Sequence, residues 1–338
     1  MPVRMRSPAR SPAEGRLPPL VVICGATATG KTGLSLALAE RLPRADIISA
    51  DSRHVYRGMD VGTAKVSAAD RQRVPHHGLD LVAPDEPFSA QQFRRHALEA
   101  LAAIAQRGGI ALLVGGTGLY LRAVARGLPL EETGSDPLLR AEFERRLSEE
   151  GLTALSEQLR RTAPTLAAAT DLANPRRVVR ALERAHLTGD RLAPVPRGYP
   201  APVAWIGLAV EPEVHDQRIA QRVEWQFGNG LLDEAAALRR RYDTSLRAFS
   251  AFGYREAFGA LEGLGLEQAV AQTIIRTRQF ARRQRSWFRA EPDVAWIDAA
   301  ADPLPAALAS VRLALGIGRA RGRAPRVPRS PQPRPRHV

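Results

Sequence analysis

A short segment near the amino terminus has the glycine and lysine spacing of a phosphate-binding loop. Gly25, Gly30, Lys31 and Thr32 match the pattern G-x-x-x-x-G-K-[ST]. Glycines let backbone N–H groups curl around an anion, the next helix points its positive end at it, Lys31 reaches the terminal phosphate and Thr32 can hold Mg²⁺. A glycine-rich turn that binds nothing is the alternative. The predicted loop consists of Gly25, Ala26, Thr27, Ala28, Thr29, Gly30, Lys31 and Thr32.

A carboxylate follows the next apolar segment. Asp51 comes directly after residues 45–50, which read as a buried strand. Strands of open α/β sheets turn their carboxyl ends toward the ligand crevice, so Asp51 is expected near the bound phosphates. There it could orient and deprotonate a nucleophile. Capping of a turn with Ser52 is the alternative role.

The phosphate loop alone favours a nucleotide or small-molecule kinase, because most proteins with this loop cleave ATP or GTP. Such proteins usually have a strand that ends in an aspartate, which helps to hold Mg²⁺. The strand that could play this part, residues 111–114, runs instead into the Gly-Gly-Thr-Gly of residues 115–118. This ending argues against a kinase.

The alternation of strands and helices predicts an α/β fold with a mostly parallel sheet. Strands are predicted at residues 20–24, 45–50, 109–114 and 203–210, and helices at 31–41 and 88–106. Residues 127–202 lack strand signals and read as a helical insertion, with helices at 137–150, 153–162 and 175–187. Only helices are predicted from 212 to about 315. The core therefore comprises residues 19–126 and 203–316.

The formal net charge of +14 is concentrated at the two ends of the chain. Residues 1–18 and 317–338 are rich in Arg and Pro, have no apolar periodicity and are predicted to be disordered. Such tails could add affinity for RNA that depends on salt, or could have no role. Only two of the 49 basic residues are lysines, Lys31 and Lys65, which suggests that a compact ammonium is needed at both positions.

Other features exclude several classes of protein. The single cysteine, Cys24, rules out a disulfide framework and a cysteine-rich metal site. No apolar run is long enough for a membrane span, and no signal peptide is evident, so a soluble, cytoplasmic protein is expected, with a monomer as the default. Adjacent histidines such as His76 and His77 rarely bind one ion, and a turn after Pro75 is the expectation.

Eight strings follow one another between about residue 20 and about residue 298: GATATGKT, DSRHVYRGMDVGTAK, PHHGLD, FSAQQFRRHAL, LLVGGTGLYLRAV, NPRRVVRALE, FGYRE and TRQFARRQRSWFR. In this order they resemble the tRNA dimethylallyltransferase family. The combination of DSRHVYRGMDVGTAK and VGGTGLY is the most specific. The eukaryotic members' cysteine-rich finger is absent, so the bacterial type fits better.

The resemblance implies a P-loop NTPase-like fold adapted to prenyl transfer. The donor would be dimethylallyl diphosphate, bound by the phosphate loop with Mg²⁺, and the acceptor an adenosine amine next to the anticodon of tRNA. Asp51 would be the base, Arg222 would lie at the active site, and Thr27 and Thr117 would give supporting hydrogen bonds. The implied tRNA contacts are Asp51, Ser52, Arg53, His54, Thr117, Arg140, Arg176, Arg177, Val178, Val179, Arg180, Ser250, Ala251, Phe252, Gly253, Tyr254 and Arg255.

Three other functions remain as alternatives: a kinase, a phosphate-loop RNA-binding protein without catalysis, and a prenyltransferase that acts on free nucleotides. The arginine clusters of the helical insertion favour tRNA over a free nucleotide. A second cluster, Arg278, Arg282, Arg285 and Arg289, has the spacing of one helical face. That face is either a contact for the RNA backbone or a solvated surface.

Overall fold

A six-stranded sheet organises the residues that the computed structural model describes, 17–130 and 136–317. The strand order is β3-β2-β4-β1-β5-β6 and every neighbouring pair is parallel. The strands are β1 (Leu20–Gly25), β2 (Asp46–Ser49), β3 (His76–His77), β4 (Ala111–Gly115), β5 (Val203–Ala209) and β6 (Ala295–Asp298).

Twelve α-helices and one short 3-10 helix, Arg247–Ser250, surround this sheet within the described ranges. The α-helices are α1 (Lys31–Ala39), α2 (Ala68–Arg73), α3 (Ala90–Gln106), α4 (Gly118–Ala125), α5 (Pro137–Thr162), α6 (Pro164–Ala168), α7 (Pro175–Thr188), α8 (Pro212–Gly228), α9 (Leu231–Arg239), α10 (Tyr254–Leu261), α11 (Leu266–Arg289) and α12 (Leu304–Leu315).

The central strands are covered on both faces, which is why they read as continuous apolar runs. Every residue of β1 and β4 is buried. On one face, α1 and α12 contribute side chains such as Leu38 and Val311 to the core. On the other, α3, α4 and α11 contribute side chains such as Phe93, Leu121 and Phe288. The predicted α/β fold with a parallel sheet is confirmed.

Two further groups of helices form hydrophobic clusters beside the sheet. Helices α8, α9 and α10 enclose the beginning of the loop that follows β2, with Val55 and Met59 inside the cluster. Helices α5, α6 and α7, called the insertion helices below, pack around Leu155, Leu159 and Val178. A left-handed Gly151 (φ 83°) separates the two halves of α5, at the point where two helices were predicted.

Two local predictions were wrong. The stretch after residue 212 contains β6, a four-residue edge strand in which only Ile297 is buried, so it has too little apolar pattern to be recognised. The His76–His77 pair is a two-residue strand on β2 rather than a turn. His77 Nε2 lies 2.8 Å from Asp46, and the described ranges hold no cluster of three or more His, Cys, Asp or Glu that could bind a metal.

The predicted tail boundaries also need a small correction. Leu17 packs against the core, the Pro18 carbonyl accepts a hydrogen bond from Tyr199 (2.8 Å), and Ile317 packs beside α12. The rest of both predicted tails, residues 1–16 and 318–338, lies outside the described residues. Among the described helices, none combines the length and apolar composition that a bilayer crossing requires.

Candidate active site

Three loops meet at the carboxyl edge of the sheet. One joins β1 to α1, one follows β2 and begins near Asp51, and one joins β4 to α4. Because β2, β4 and β1 are adjacent and parallel, these loops leave the sheet on the same side. They line a cavity of about 780 Å³ that also receives residues of α8 and α11, among them Arg222, Phe280 and Gln284.

The phosphate loop is held in its strained shape by close packing. Gly25 has φ +145°, and a Cβ there would lie 2.9 Å from the carbonyl oxygen of Leu208 on β5. Gly30, at φ 92°, begins α1, and Ala28 also has a positive φ of 60°. Thr29 is buried and its hydroxyl donates to the Ala26 carbonyl (2.9 Å). The loop therefore turns its backbone around the start of α1, where an anion is stabilised.

Two half-buried cations, Lys31 and Arg222, line this cavity. Lys31 Nζ donates to the Ala26 carbonyl, and Arg222 Nη2 donates to the Thr63 carbonyl at 3.0 Å. Burial, together with the charge of Arg222, lowers the pKa of Lys31 to about 8. Burial also lowers the pKa of Arg222, although Asp51 opposes this shift. Both residues donate to neutral carbonyls, and two cations share the cavity with one nearby carboxylate, Asp51, so net positive charge is available to a phosphate.

Asp51 lies in the same cavity, two residues after the end of β2. Its Oδ1 accepts a hydrogen bond from the Arg53 backbone N–H at 2.8 Å. Burial by itself would raise the pKa of the carboxyl, but His54 in its protonated form, the Arg53 amide, Lys31 and Arg222 together lower it below the usual value. Asp51 is therefore an ionised carboxylate at neutral pH and is able to accept a proton.

His54 supports the loop around Asp51. Its Nε2 lies 3.2 Å from the Thr63 carbonyl and its Nδ1 lies 2.9 Å from the Ser49 hydroxyl. Because a carbonyl can only accept, Nε2 carries the proton and Nδ1 accepts from Ser49. Burial lowers the pKa of His54, which favours this neutral form. Both ring nitrogens thus already have protein partners.

Buried and half-buried polar side chains hold the loop from Asp51 to Lys65 in place. Glu234 accepts three backbone N–H groups, those of residues 60, 61 and 62, at 2.8–3.0 Å. Gln226 donates to the carbonyls of residues 61 and 62. The fully buried Lys65 ammonium bonds to the Tyr56 carbonyl and to two aspartates. Lys65 is a structural residue of this loop, whereas Lys31 faces the cavity.

Thr27 and Thr117, the two predicted supporting residues, occupy different positions. Thr27 lines the cavity, and its backbone N–H and C=O bond to Gln284 (2.9 Å) and His215 (2.7 Å). The Thr117 hydroxyl accepts the backbone N–H of Ser52 at 3.0 Å. Thr117 thus supports the residue next to Asp51 and is not among the residues that line the cavity.

The predicted contact segment 250–255 is anchored to Arg53. The Arg53 guanidinium donates to the Ser250 hydroxyl at 2.8 Å and to the Arg247 carbonyl at 3.0 Å. Tyr254 is fully buried, with its hydroxyl 2.6 Å from Glu234, and Ala251 and Gly253 are also buried. Within the segment, side chains that reach the surface are those of Ser250, Phe252 and Arg255.

In the insertion helices, too, some of the predicted contact residues are buried and others are exposed. Val178 and Val179 are buried in the cluster of these helices, whereas Arg176 and Arg177 are exposed. Arg140 and Arg180 both donate to Glu183, a carboxylate whose side chain is fully buried. Side-chain contacts with RNA in this range are therefore open to the arginines and not to the two valines.

On the predicted arginine face of α11, two arginines have partners on a neighbouring helix and two are exposed. Arg278 bonds to Asp216 and Arg285 to His215, both on α8, because this side of α11 packs against that helix. Arg282 and Arg289 are exposed.

The polar residues of this architecture that were not predicted include Gln284, His215, Glu234 and Glu183. Gln284 carries the clearest signal, because it continues the buried spacing of Thr277, Ala281 and Phe288 on α11 as a polar residue. A buried amide on an apolar helix face requires hydrogen-bond partners. The other three could not be paired with their partners from spacing alone.

Comparison with known proteins identifies the family of this chain. Residues 54–291 match the family model described as IPP transferase. The chain is 45% identical over 299 residues to the tRNA dimethylallyltransferase of Roseiflexus castenholzii, covering 87% of this chain and 97% of the relative. It is 39% identical over 290 residues to that of a Picosynechococcus species, covering 85% and 95%.

Solved structures give the same result. The structure of the full-length tRNA isopentenylpyrophosphate transferase of Bacillus halodurans superposes with a TM-score of 0.65 at 38% identity, covering 88% of this chain and 95% of that one. A eukaryotic dimethylallyltransferase acting on tRNA shares the fold, with a TM-score of 0.71 at 24% identity, over 88% of this chain and 77% of that one. On these matches, the chain belongs to the IPP transferase family.

Proposed function

We propose that this protein transfers a dimethylallyl group from dimethylallyl diphosphate to the exocyclic amine of the adenosine immediately 3′ of the anticodon in tRNA, and releases diphosphate. The observation that carries the proposal is the meeting, in one cavity, of a loop with phosphate-binding spacing, two half-buried cations and a carboxylate whose pKa is lowered. Two relatives that are 39% and 45% identical over the aligned residues are named tRNA dimethylallyltransferase, which supports the same reaction.

The donor side of the reaction requires stabilisation of a departing diphosphate. The allylic C1–O bond breaks, and its electron pair leaves with the diphosphate as negative charge. Lys31, Arg222 and the phosphate loop line the cavity in which this charge would develop. Preorganised donors of this kind stabilise a transition state without reorganising.

The acceptor side requires a proton acceptor. The adenine amine is a weak nucleophile because its lone pair is delocalised into the ring. As the new N–C bond forms, the amine loses a proton, and Asp51 is the ionised carboxylate in the cavity that can take it. General base assistance typically contributes about 10²–10⁴-fold in rate.

Mg²⁺ fits the residues at the start of α1. Thr32 is exposed and lines the cavity, so its hydroxyl can serve as a hard oxygen ligand beside Lys31. Mg²⁺ commonly takes one or two protein ligands and completes its shell with phosphate oxygens and water. When bound, it would neutralise charge on the diphosphate, while the residues of the chain position the two reactants.

The RNA-binding residues are proposed from position and charge. The target base must leave the anticodon-loop stack to reach the cavity, at a cost of about a few kcal/mol. Arg176 and Arg177 on the insertion helices, and Arg255 beside the Arg53–Ser250 anchor, are exposed cations that could hold the RNA meanwhile. As a tRNA-modifying enzyme the protein would act in the cytoplasm, as a monomer.

The experiment is transfer of label from radiolabelled dimethylallyl diphosphate to tRNA that lacks the modification, in the presence of Mg²⁺. We expect label in the RNA, located by nuclease digestion at the adenosine 3′ of the anticodon. A parallel reaction contains AMP instead of tRNA, and another contains ATP alone. Label in AMP without label in tRNA would replace the proposal with free-nucleotide prenyl transfer, and ATP hydrolysis without any transfer would replace it with a kinase.

A further inference from the structure

Gln284 of α11 joins two of the loops at the active site. Its Oε1 accepts the backbone N–H of Thr27 in the phosphate loop at 2.9 Å. Its Nε2 donates to the carbonyl of Gly116, in the loop between β4 and α4, also at 2.9 Å. The residue is only 7% exposed, so water does not replace these partners easily. An uncharged side-chain amide can accept on one side and donate on the other.

The amide of Gln284 packs closely against Gly116. A Cβ on Gly116 would lie 2.3 Å from Nε2 of Gln284, so a side chain at position 116 would displace the end of Gln284. The backbone of Gly116 is not in the left-handed region, so this close approach, and not backbone conformation, is what favours a glycine here. The amide and the loop are therefore complementary in shape as well as in hydrogen bonding.

The peptide groups of Thr27 are held from two helices. While Gln284 of α11 binds its N–H, His215 of α8 donates from Nε2 to its carbonyl at 2.7 Å. Arg285, next to Gln284, donates to His215 Nδ1 at 2.6 Å. His215 is fully buried, and burial lowers its pKa, which favours the neutral ring that this arrangement requires.

The Gly116 side of the amide leads to the proposed base. Gly116 is followed by Thr117, whose hydroxyl accepts the N–H of Ser52 at 3.0 Å, and Ser52 follows Asp51 in the chain. Gln284 therefore connects the loop for the donor diphosphate with the segment that carries the base. We propose that Gln284 is a positioning residue that sets the distance between the bound allylic diphosphate and Asp51.

This inference rests on the proposed function and predicts a particular kinetic effect. Each loop is still attached to its own strand when the amide is removed, so each substrate should still bind. Transfer, however, depends on the relative placement of both reactants, and an error of about 1 Å in such placement can cost about 100-fold in rate. The loss is therefore expected in kcat and not in affinity.

The first test replaces the amide by an apolar group of similar size, Gln284→Leu. We expect kcat to fall about 10–100-fold, while the Kd values for dimethylallyl diphosphate and for tRNA, each measured alone, stay within about threefold. Gln272→Leu is the matched control, because Gln272 is exposed on the same helix and does not line the cavity. It should leave kcat unchanged.

The second test, Gln284→Glu, separates positioning from a general loss of structure. A neutral carboxylic acid offers one acceptor and one donor, as the amide does, whereas a carboxylate would place an acceptor against the Gly116 carbonyl. Burial at this position, together with the facing Gly116 carbonyl, should raise the pKa of the introduced carboxyl, so the ratio of kcat between this variant and the wild type should rise as the pH is lowered from 8 to 6. A destabilised but otherwise passive site would give a flat ratio.

The outcomes are distinct. Unchanged kcat in Gln284→Leu, a loss confined to the Kd of the donor, or a flat pH ratio in Gln284→Glu would overturn the role of Gln284 while the wild type remains active. Absence of transfer by the wild type would overturn the proposed function and this inference with it.

Discussion

The cations of the cavity and those of the insertion helices are compensated by different groups. Lys31 and Arg222 are half-buried and donate to backbone carbonyls, which accept a hydrogen bond without carrying a net charge. Arg140 and Arg180 donate to the buried carboxylate of Glu183, which does cancel charge. A site that must attract a phosphate retains unpaired charge at a cost in stability, whereas a scaffold pairs its charges.

The same contrast separates the carboxylates. Asp51 accepts one backbone N–H and lies in a cavity that is open to substrate. Glu183 accepts the backbone N–H of Asp136 and hydrogen bonds from two arginines, and it has no exposed side-chain surface. Replacement of Asp51 should therefore affect catalysis, and replacement of Glu183 should affect stability.

The largest effect is expected for Asp51→Ala. Loss of the base should lower kcat about 10²–10⁴-fold, because the amine proton then has no positioned acceptor. The Kd for tRNA should change little, and the thermal midpoint should not fall. Steady-state transfer of labelled prenyl groups measures kcat, filter binding measures the Kd for tRNA, and thermal unfolding measures the midpoint. Turnover equal to that of the wild type would remove Asp51 from the mechanism.

Glu183→Ala tests the other side of the comparison. Two arginines and one backbone N–H lose their partner, and the free energy of unfolding should fall by about 2 kcal/mol, since both arginines can still reach water. Urea denaturation followed by circular dichroism measures this change. Glu149→Ala, which removes an exposed pair with Arg145, is the control and should leave the midpoint in place. Equal effects of the two variants would contradict the assigned role of Glu183.

The pH dependence of donor binding follows from Lys31. Its pKa of about 8 means that the ammonium is present below pH 8 and is lost above it. Since the charged form binds the diphosphate, kcat/KM for the donor should fall by up to about tenfold per pH unit above 8. Lys31→Arg, which stays charged in this range, should lack this decrease although its fit is poorer. The Cys24 thiol does not interfere, because burial raises its pKa to about 12.

A smaller effect is expected for Arg176→Ala. If this exposed arginine contacts one RNA phosphate, its loss should weaken tRNA binding several-fold and reduce the slope of log K against log salt concentration by about one. Arg145→Ala, an exposed arginine paired with Glu142 and Glu149, serves as the control. An unchanged slope in Arg176→Ala would show that the insertion helices do not use this residue for RNA.

The sequence predicted the parts of the site whose function depends on local spacing. The phosphate loop and Asp51 were located because glycine spacing and strand ends are local signals, and the structure places both in one cavity. Gln284 was missed because its partner Thr27 is 257 residues away. Strand β6 was missed because an edge strand with one buried residue has almost no pattern.

The strand order of the sheet determines how much of the chain must be synthesised before the catalytic centre can form. Strand β1, the earliest of the described strands in the chain, hydrogen-bonds to β4 and to β5, whose residues are made about 90 and 180 positions later. The side chains that hydrogen-bond to the Thr27 carbonyl and N–H, those of His215 and Gln284, are synthesised later still. A nascent chain therefore has no assembled catalytic centre until nearly all of α11 has emerged, and truncated products of interrupted translation should be inactive.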